Sequence, residues 1–333
     1  MSHDNTKPRK RIICRVVAAW LFFGTVSPAL AADRYALLIT GATGGEEYAL
    51  KYQSWRSRLA TLLRARFDYP DDHIITLAEH EERGVRASTR DNVRAALDDL
   101  QRRARPDDIV FILLMGHGTT GGADEAKFNL VGPDLSAGEW ADLLEPIAGR
   151  IIFVNSASGS FPFLQPLSRR GRIVITATAS AMQEYETVFP ELFIEAFGNP
   201  AADADKNDRV SIWEAFVYGT AGVRRWFDER GQLPTERALL DDTGDGAGRE
   251  ADEGKGTDGA IAQVTYLSPD APIAAPADSE MGALMRRRAD IQAQVDLLRA
   301  RKPNLPEAEY QSELERLLVE LARLDRDIRA KRP

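Results

Sequence analysis

The chain has 333 residues, a formal net charge of −8, 44% hydrophobic and 28% charged content, and a single cysteine, Cys14. That length can bury a real core as one large α/β domain or two smaller ones. One cysteine excludes an intramolecular disulfide framework and a thiolate zinc or iron–sulfur centre. The acidic balance argues against a partner such as nucleic acid or an anionic membrane surface.

Lys7, Arg9, Lys10 and Arg11 precede an apolar run from Ile12 to Val26, broken by Arg15, and then Ser27-Pro28-Ala29-Leu30-Ala31-Ala32. A basic start, an apolar middle and a small-residue end give residues 1–31 the pattern of a secretory signal peptide, cleaved after Ala31. The apolar run is short for a bilayer span. Ile13 precedes Cys14 where a lipoprotein signal needs a small residue. The expectation is an exported protein, periplasmic or extracellular, that has shed its only cysteine. No later segment is long and apolar enough to cross a bilayer.

From residue 34 to 176, short β-rich runs alternate with helical patterns. Strands are expected at Tyr35–Thr40, Ile74–Leu77, Ile109–Met115, Ile151–Val154 and Arg172–Ala177. Tyr48, Tyr52, Trp55, Leu59, Leu62 and Leu63 recur at helical spacing. Thr89 caps a second helix carrying Val93, Leu97 and Leu100, and 141–147 reads as a third. Strands alternating with helices imply an α/β fold, a mostly parallel sheet covered on both faces. Residues 33–267 form this domain, with 241–259 read as an exposed polar loop whose acidic 241–253 part could hold a second ion. Pro269, Pro272 and Pro276 mark a linker over 268–277.

Beyond it, Met281, Leu284, Arg288, Ile291, Val295 and Leu298 form one heptad seam. Tyr310, Leu314, Leu317, Leu321, Leu324 and Ile328 form another, after the break at Pro303 and Pro306. Two seams joined by a short turn predict an antiparallel α-helical hairpin over 278–333. A dimerising coiled coil is the rival reading, and either one offers a surface for self-association or a protein partner.

Functional groups of an open parallel sheet gather at the carboxyl ends of its strands. The third strand ends in Gly116-His117-Gly118-Thr119-Thr120-Gly121, and the fourth in Asn155-Ser156-Ala157-Ser158-Gly159-Ser160. Flanking glycines leave a histidine ring accessible. Small hydroxyl residues after a buried strand can supply a nucleophile or donate amides to an oxyanion. A flexible turn and a tight Ser-Gly loop are the plainer alternatives.

These paired strand ends resemble those of the legumain-type, caspase-like cysteine peptidases. That family has a His-Gly pair followed by Ser/Thr-Gly, then Ala-Cys-Glu-Ser-Gly-Ser after the next strand. Thr176-Ala177-Thr178-Ala179-Ser180-Ala181 is similar to its following strand end, which lines the substrate pocket. The resemblance covers about residues 34–200. It implies a caspase-like fold, a peptide or protein ligand, His117 as general base, and Gly118, Ser158 and Gly159 as oxyanion-hole or loop residues. It also places Ser156 where the family has its cysteine nucleophile. A serine hydroxyl ionises far less readily than a thiol and needs firmer activation. The expectation is a catalytically impaired, peptide-binding pseudo-peptidase; the alternative is a serine hydrolase with a Ser156–His117 dyad.

Residues 203–214 fit the twelve-residue EF-hand calcium loop, with Asp203, Asp205 and Asn207 at positions 1, 3 and 5, Arg209 offering a carbonyl, Ser211 at position 9 and Glu214 as the twelfth ligand. Asp208 stands where position 6 expects glycine. A solvated acidic turn is the plainer alternative. Gly41, Gly44 and Gly45 after the first strand hint at a dinucleotide turn, with Glu79 as a ribose ligand. Glu46 and Glu47 would repel a pyrophosphate there.

Overall fold

A computed structural model describes residues 32–120, 126–183, 185–252 and 258–269, then 283–284, 287–288, 291–292, 294–295, 298, 302 and 305–331. The signal reading at 1–31 and nearly all of the 268–277 linker lie outside the described residues.

Ten strands are described: β1 (Arg34–Thr40), β2 (Ile74–Ala78), β3 (Arg86–Ala87), β4 (Ile109–Met115), β5 (Gly118–Thr119), β6 (Lys127–Phe128), β7 (Leu135–Ser136), β8 (Arg150–Asn155), β9 (Ile173–Thr176) and β10 (Leu239–Asp241). Seven form the main sheet in the order β10-β9-β8-β4-β1-β2-β3. All its pairs are parallel except β9 with β10. The five strands expected from sequence are all present. The extra ones have two or three residues each, too few to show periodicity.

Alternate residues of the central strands enter opposite cores, as the two-residue repeat requires. Ala36, Leu38, Phe111, Leu113, Ile152 and Val154 share one core with α1 (Glu46–Phe67), α5 (Phe189–Ala196) and α6 (Ile212–Asp228). Leu37, Ile39, Val110, Ile112, Ile151 and Phe153 share the other with α2 (Arg90–Arg103), α3 (Ala137–Leu144) and α4 (Leu164–Leu167). Helices therefore cover both faces, which is why these strands read as unbroken apolar runs.

Local signals set the helix ends. The Thr89 hydroxyl accepts from the Asn92 amide and starts α2. Helix α3 begins four residues before the expected 141, because Ser136 and Glu139 form a capping box; it ends at Leu144, ahead of Pro146. The larger correction concerns 241–259. Asp241 and Asp242 are each 1% exposed, and Glu250 and Asp258 are also buried. The Asp242 carboxylate accepts the amides of Gly259, Ile261 and Ala262, while Asp241 accepts those of Thr243, Gly244 and Gly246. Acidic composition here marks internal caps rather than a solvated loop.

The C-terminal helix α7 spans Glu307–Lys331. The described residues between 283 and 298 are helical, and Ile291, Val295 and Leu298 pack with Tyr310, Leu317 and Leu324. Arg287 pairs with Glu320 at 2.7 Å. Early residues meeting late ones is the antiparallel register that the two seams predict. This apolar cluster is separate from both sheet cores. Deleting 278–333 should therefore lower the melting temperature of the α/β body by no more than the roughly 2–4 °C that 1 kcal/mol produces at this size. Circular dichroism melts check this; a larger drop would mean that the hairpin buttresses the sheet.

Candidate functional site

The chain runs outward from β1 to β2 on one side of the sheet, then returns to β4, β8 and β9 on the other. The switch falls between β1 and β4, where an open α/β sheet forms a crevice beyond its carboxyl edge. His117 stands two residues past β4, at this crevice. Where the end of β1 meets the segment after β6, glycine is needed at position 41, since a Cβ there would strike the Asn129 carbonyl oxygen. The Gly41 amide donates to Met115 O at 2.9 Å, and the Asn129 amide donates to His117 O at 3.0 Å. The small sheet β5-β6-β7 follows directly and fixes the backbone after the histidine.

The His117 ring is half-buried against α1. Its Nε2 lies 3.2 Å from the Tyr52 hydroxyl. Tyr48 meets the ring edge-on with centroids 4.8 Å apart. Burial pushes the Tyr52 phenol well above its ordinary pKa, so it stays protonated and can donate to Nε2. Tyr48 and Tyr52 are visible in the sequence only as members of the helix stripe, one turn apart. Nothing there marks them as the ring's neighbours.

Ser156 begins the turn after β8 and is 1% exposed. Its hydroxyl donates to Leu114 O at 2.6 Å, and its amide donates to the same oxygen at 3.0 Å. The Thr187 hydroxyl donates to Ser156 O. No hydrogen bond between Ser156 and His117 is among those described: the Ser156 hydroxyl is used on Leu114 O, and His117 Nε2 faces Tyr52. Gly118 donates its amide to the Ser158 hydroxyl at 3.3 Å. A Cβ at Gly118 would collide with the Ser158 carbonyl oxygen. Gly159, at φ +59, takes the left-handed turn that glycine favours, and its amide donates to Gln183 O at 2.8 Å. Thr178 binds back to this turn, accepting the Phe161 amide at 2.9 Å.

Two carboxylates near the crevice hold backbone. Glu79 accepts the amide and hydroxyl of Thr43, pinning the Gly-rich turn instead of awaiting a ribose. Glu236 accepts the amides of Val188 and Phe189, both at 2.8 Å, and so ties down the segment that carries Thr187. Sequence reasoning missed Glu236 because no pattern links it to residues almost fifty positions earlier.

The 203–214 loop lies between α5 and α6. Asp203 accepts the amides of Asn207 and Asp208 at 3.0 Å each. The Asn207 side chain accepts the Arg209 amide at 2.9 Å. Asp208, at φ 66, adopts the left-handed conformation that position 6 demands. Ser211 caps α6, and Glu214 completes the capping box while accepting the Ala204 and Asp205 amides. Ligand oxygens of Asp203, Asp205 and Glu214 lie within 4.8 Å of one another. Burial, then the Glu214 and Asp203 charges, push the Asp205 carboxyl up to about 6. The loop docks on the segment before the linker: Ser211 bridges to Tyr266, and the Asn207 amide group donates to the Tyr266 hydroxyl at 3.2 Å.

No protein-family model matches the chain, and no curated protein matches it in sequence. Among solved structures it is similar to a protein from Geobacter sulfurreducens, at 12% identity and TM-score 0.42, over 63% of this chain and 92% of that one. It is also similar to the Drosophila initiator caspase Dronc, at 10% identity and TM-score 0.42, over 66% and 84% of the two chains. A secreted C11 cysteine protease from Bacteroides thetaiotaomicron gives 12% identity and TM-score 0.38, over 63% and 66%.

Burial, opposed by the two amides, pushes the Glu236 carboxyl up from 4.5 to about 7. The folded protein therefore holds this proton where the unfolded chain releases it. Its stabilising contribution is full below pH 4.5 and is lost as the pH rises to about 7. Over that window Glu236→Gln should flatten the pH dependence of stability by on the order of 3 kcal/mol. Urea denaturation at pH 4.5 and pH 8 measures this, and parallel pH profiles for the two proteins would contradict it.

Proposed function

We propose that the chain is an exported protein with a caspase-like domain whose peptidase-type crevice binds a peptide or protein segment without cleaving it. One observation carries this reading. Ser156, which matches the nucleophile position of the resemblance, has its hydroxyl buried on the Leu114 carbonyl, while His117 Nε2 faces Tyr52. A serine becomes nucleophilic only when a base within hydrogen-bond reach takes its proton. Here a carbonyl oxygen holds that proton and cannot carry it away. The Gly118 amide, the oxyanion donor that the resemblance implies, is likewise spent on Ser158.

Residues 1–31 serve export in this reading, and the hairpin at 278–333 serves assembly or docking. The crevice remains suited to an extended chain. It lies at the switch point of the sheet, and the half-buried His117 ring offers polar and aromatic contact.

The test is a panel of peptide and ester substrates with a serine-reactive probe on the mature protein. The expected result is no turnover above background and no labelling of Ser156. Ser156→Ala should cost about 1 kcal/mol, one buried hydrogen bond, because Leu114 O keeps the Ser156 amide. Turnover abolished by both Ser156→Ala and His117→Ala would establish the Ser156–His117 dyad instead.

The 203–214 loop is proposed to bind calcium. Side-chain oxygens of Asp203, Asp205, Asn207, Ser211 and Glu214, with the Arg209 carbonyl, would hold the ion. Its charge would relieve the repulsion now crowded around Asp205. The left-handed Asp208 and the Ser211–Glu214 capping box support this reading, since both match what such a loop needs. Calorimetry should give a dissociation constant of about 10⁻⁴–10⁻³ M, the range of extracellular modules. Saturating calcium at a hundredfold excess over that constant should stabilise the fold by about 2.7 kcal/mol. Asp205→Asn should weaken binding about tenfold or more while leaving the α6 cap intact. No heat with millimolar calcium would remove the ion from the reading.

A further inference from the structure

A cavity of about 250 Å³ opens between α6 and residues 234–238, and neither His117 nor Ser156 lines it. Its lining divides the two signs of charge by depth. Glu236 is 6% exposed. Each of its carboxylate oxygens accepts one backbone amide, which leaves acceptor capacity on both. Among the described residues it forms no ion pair; Lys51, whose charge reaches it, is held by Glu186 at 2.6 Å. Arg224 and Arg237 also line the cavity, with side chains 45% and 57% exposed, paired with Asp252 and Glu250. The deep group is an acid with no cation in ion-pair reach among the described residues, the lining's other buried acid, Glu250, is paired with Arg237, and the groups nearer solvent are guanidiniums.

A buried carboxylate with no cation beside it is relieved by an ammonium donor, and guanidiniums are suited to a carboxylate. The volume falls below the roughly 300–1,000 Å³ of sites that take drug-sized molecules, and suits a smaller metabolite. We propose that this cavity binds a free α-amino acid, with its ammonium at Glu236 and its carboxylate at Arg224 and Arg237. The ligand supplies the countercharge that the fold withholds from Glu236. No bond is made or broken, and the site is independent of the peptide crevice.

Calorimetry and thermal shift on the full chain test this with L-alanine and L-lysine as probes. N-acetyl-L-alanine lacks the ammonium and L-alaninamide lacks the carboxylate. Both amino acids should bind, and each blocked analogue should bind at least about tenfold more weakly, the loss expected for one charge-assisted contact. Glu236→Gln should lose about tenfold in affinity for alanine, and Arg224→Ala several-fold. Absence of heat and of any melting shift with both amino acids overturns the proposal, as does N-acetyl-L-alanine binding as well as alanine. Glu236 also caps α5, so if Glu236→Gln does not fold, the exposed Arg224→Ala and Arg237→Ala carry the test. Alanine affinity unchanged in both overturns it.

Discussion

The pairing of β1 with β4 is the contact on which the rest of the molecule is arranged. Seven residues of each strand align in parallel, from Arg34 opposite Ile109 to Thr40 opposite Met115. Both strands are buried on both faces, so a slip of one residue would send each apolar set into the wrong core. Asp108 locks the register at one end: its carboxylate accepts the Asp33 amide at 2.7 Å and the Arg105 amide at 2.8 Å. At the other end the strands separate around Gly41 and Gly116, and the chain turns away in opposite directions. The crevice is a by-product of that divergence, and His117 stands in it because β4 ends there.

Around this frame the protein uses carboxylates largely as internal acceptors. Asp241, Asp242, Glu236 and Asp203 all receive backbone amides, and Glu139 and Glu214 complete capping boxes. Loops that would otherwise leave buried amides unpaired are closed this way. The negative composition is thus partly structural. The main-sheet neighbourhood of Ser156 follows the same habit, with hydroxyls of Ser156, Ser158, Thr178 and Thr187 spent on backbone groups.

Much of this was legible in the sequence. The central strands are long and apolar, and the caps at Thr89 and Ser211 are local signals with local outcomes. The two strand-end motifs lead to adjacent strands, β4 and β8, because neighbouring runs in such a fold pair in the sheet. The acid positions of 203–214 are set by spacing alone. What was not legible depends on partners distant in sequence. The Leu114 carbonyl as acceptor for Ser156, Tyr52 as partner of His117 and Glu236 as anchor for α5 each join segments whose proximity only the fold creates. The acidic stretch at 241–258 misled for a related reason: composition reports polarity, and polarity is satisfied as well by buried amides as by water.

The parallel architecture also has a kinetic consequence. Asp33 meets Asp108 across 75 residues, and β9 cannot receive β10 until a further helical segment has been placed between them. Sheets built from such distant pairings close slowly, because loop entropy is lost before contacts repay it. The pairing of β1 with β4 therefore sets the pace at which the chain commits to its shape.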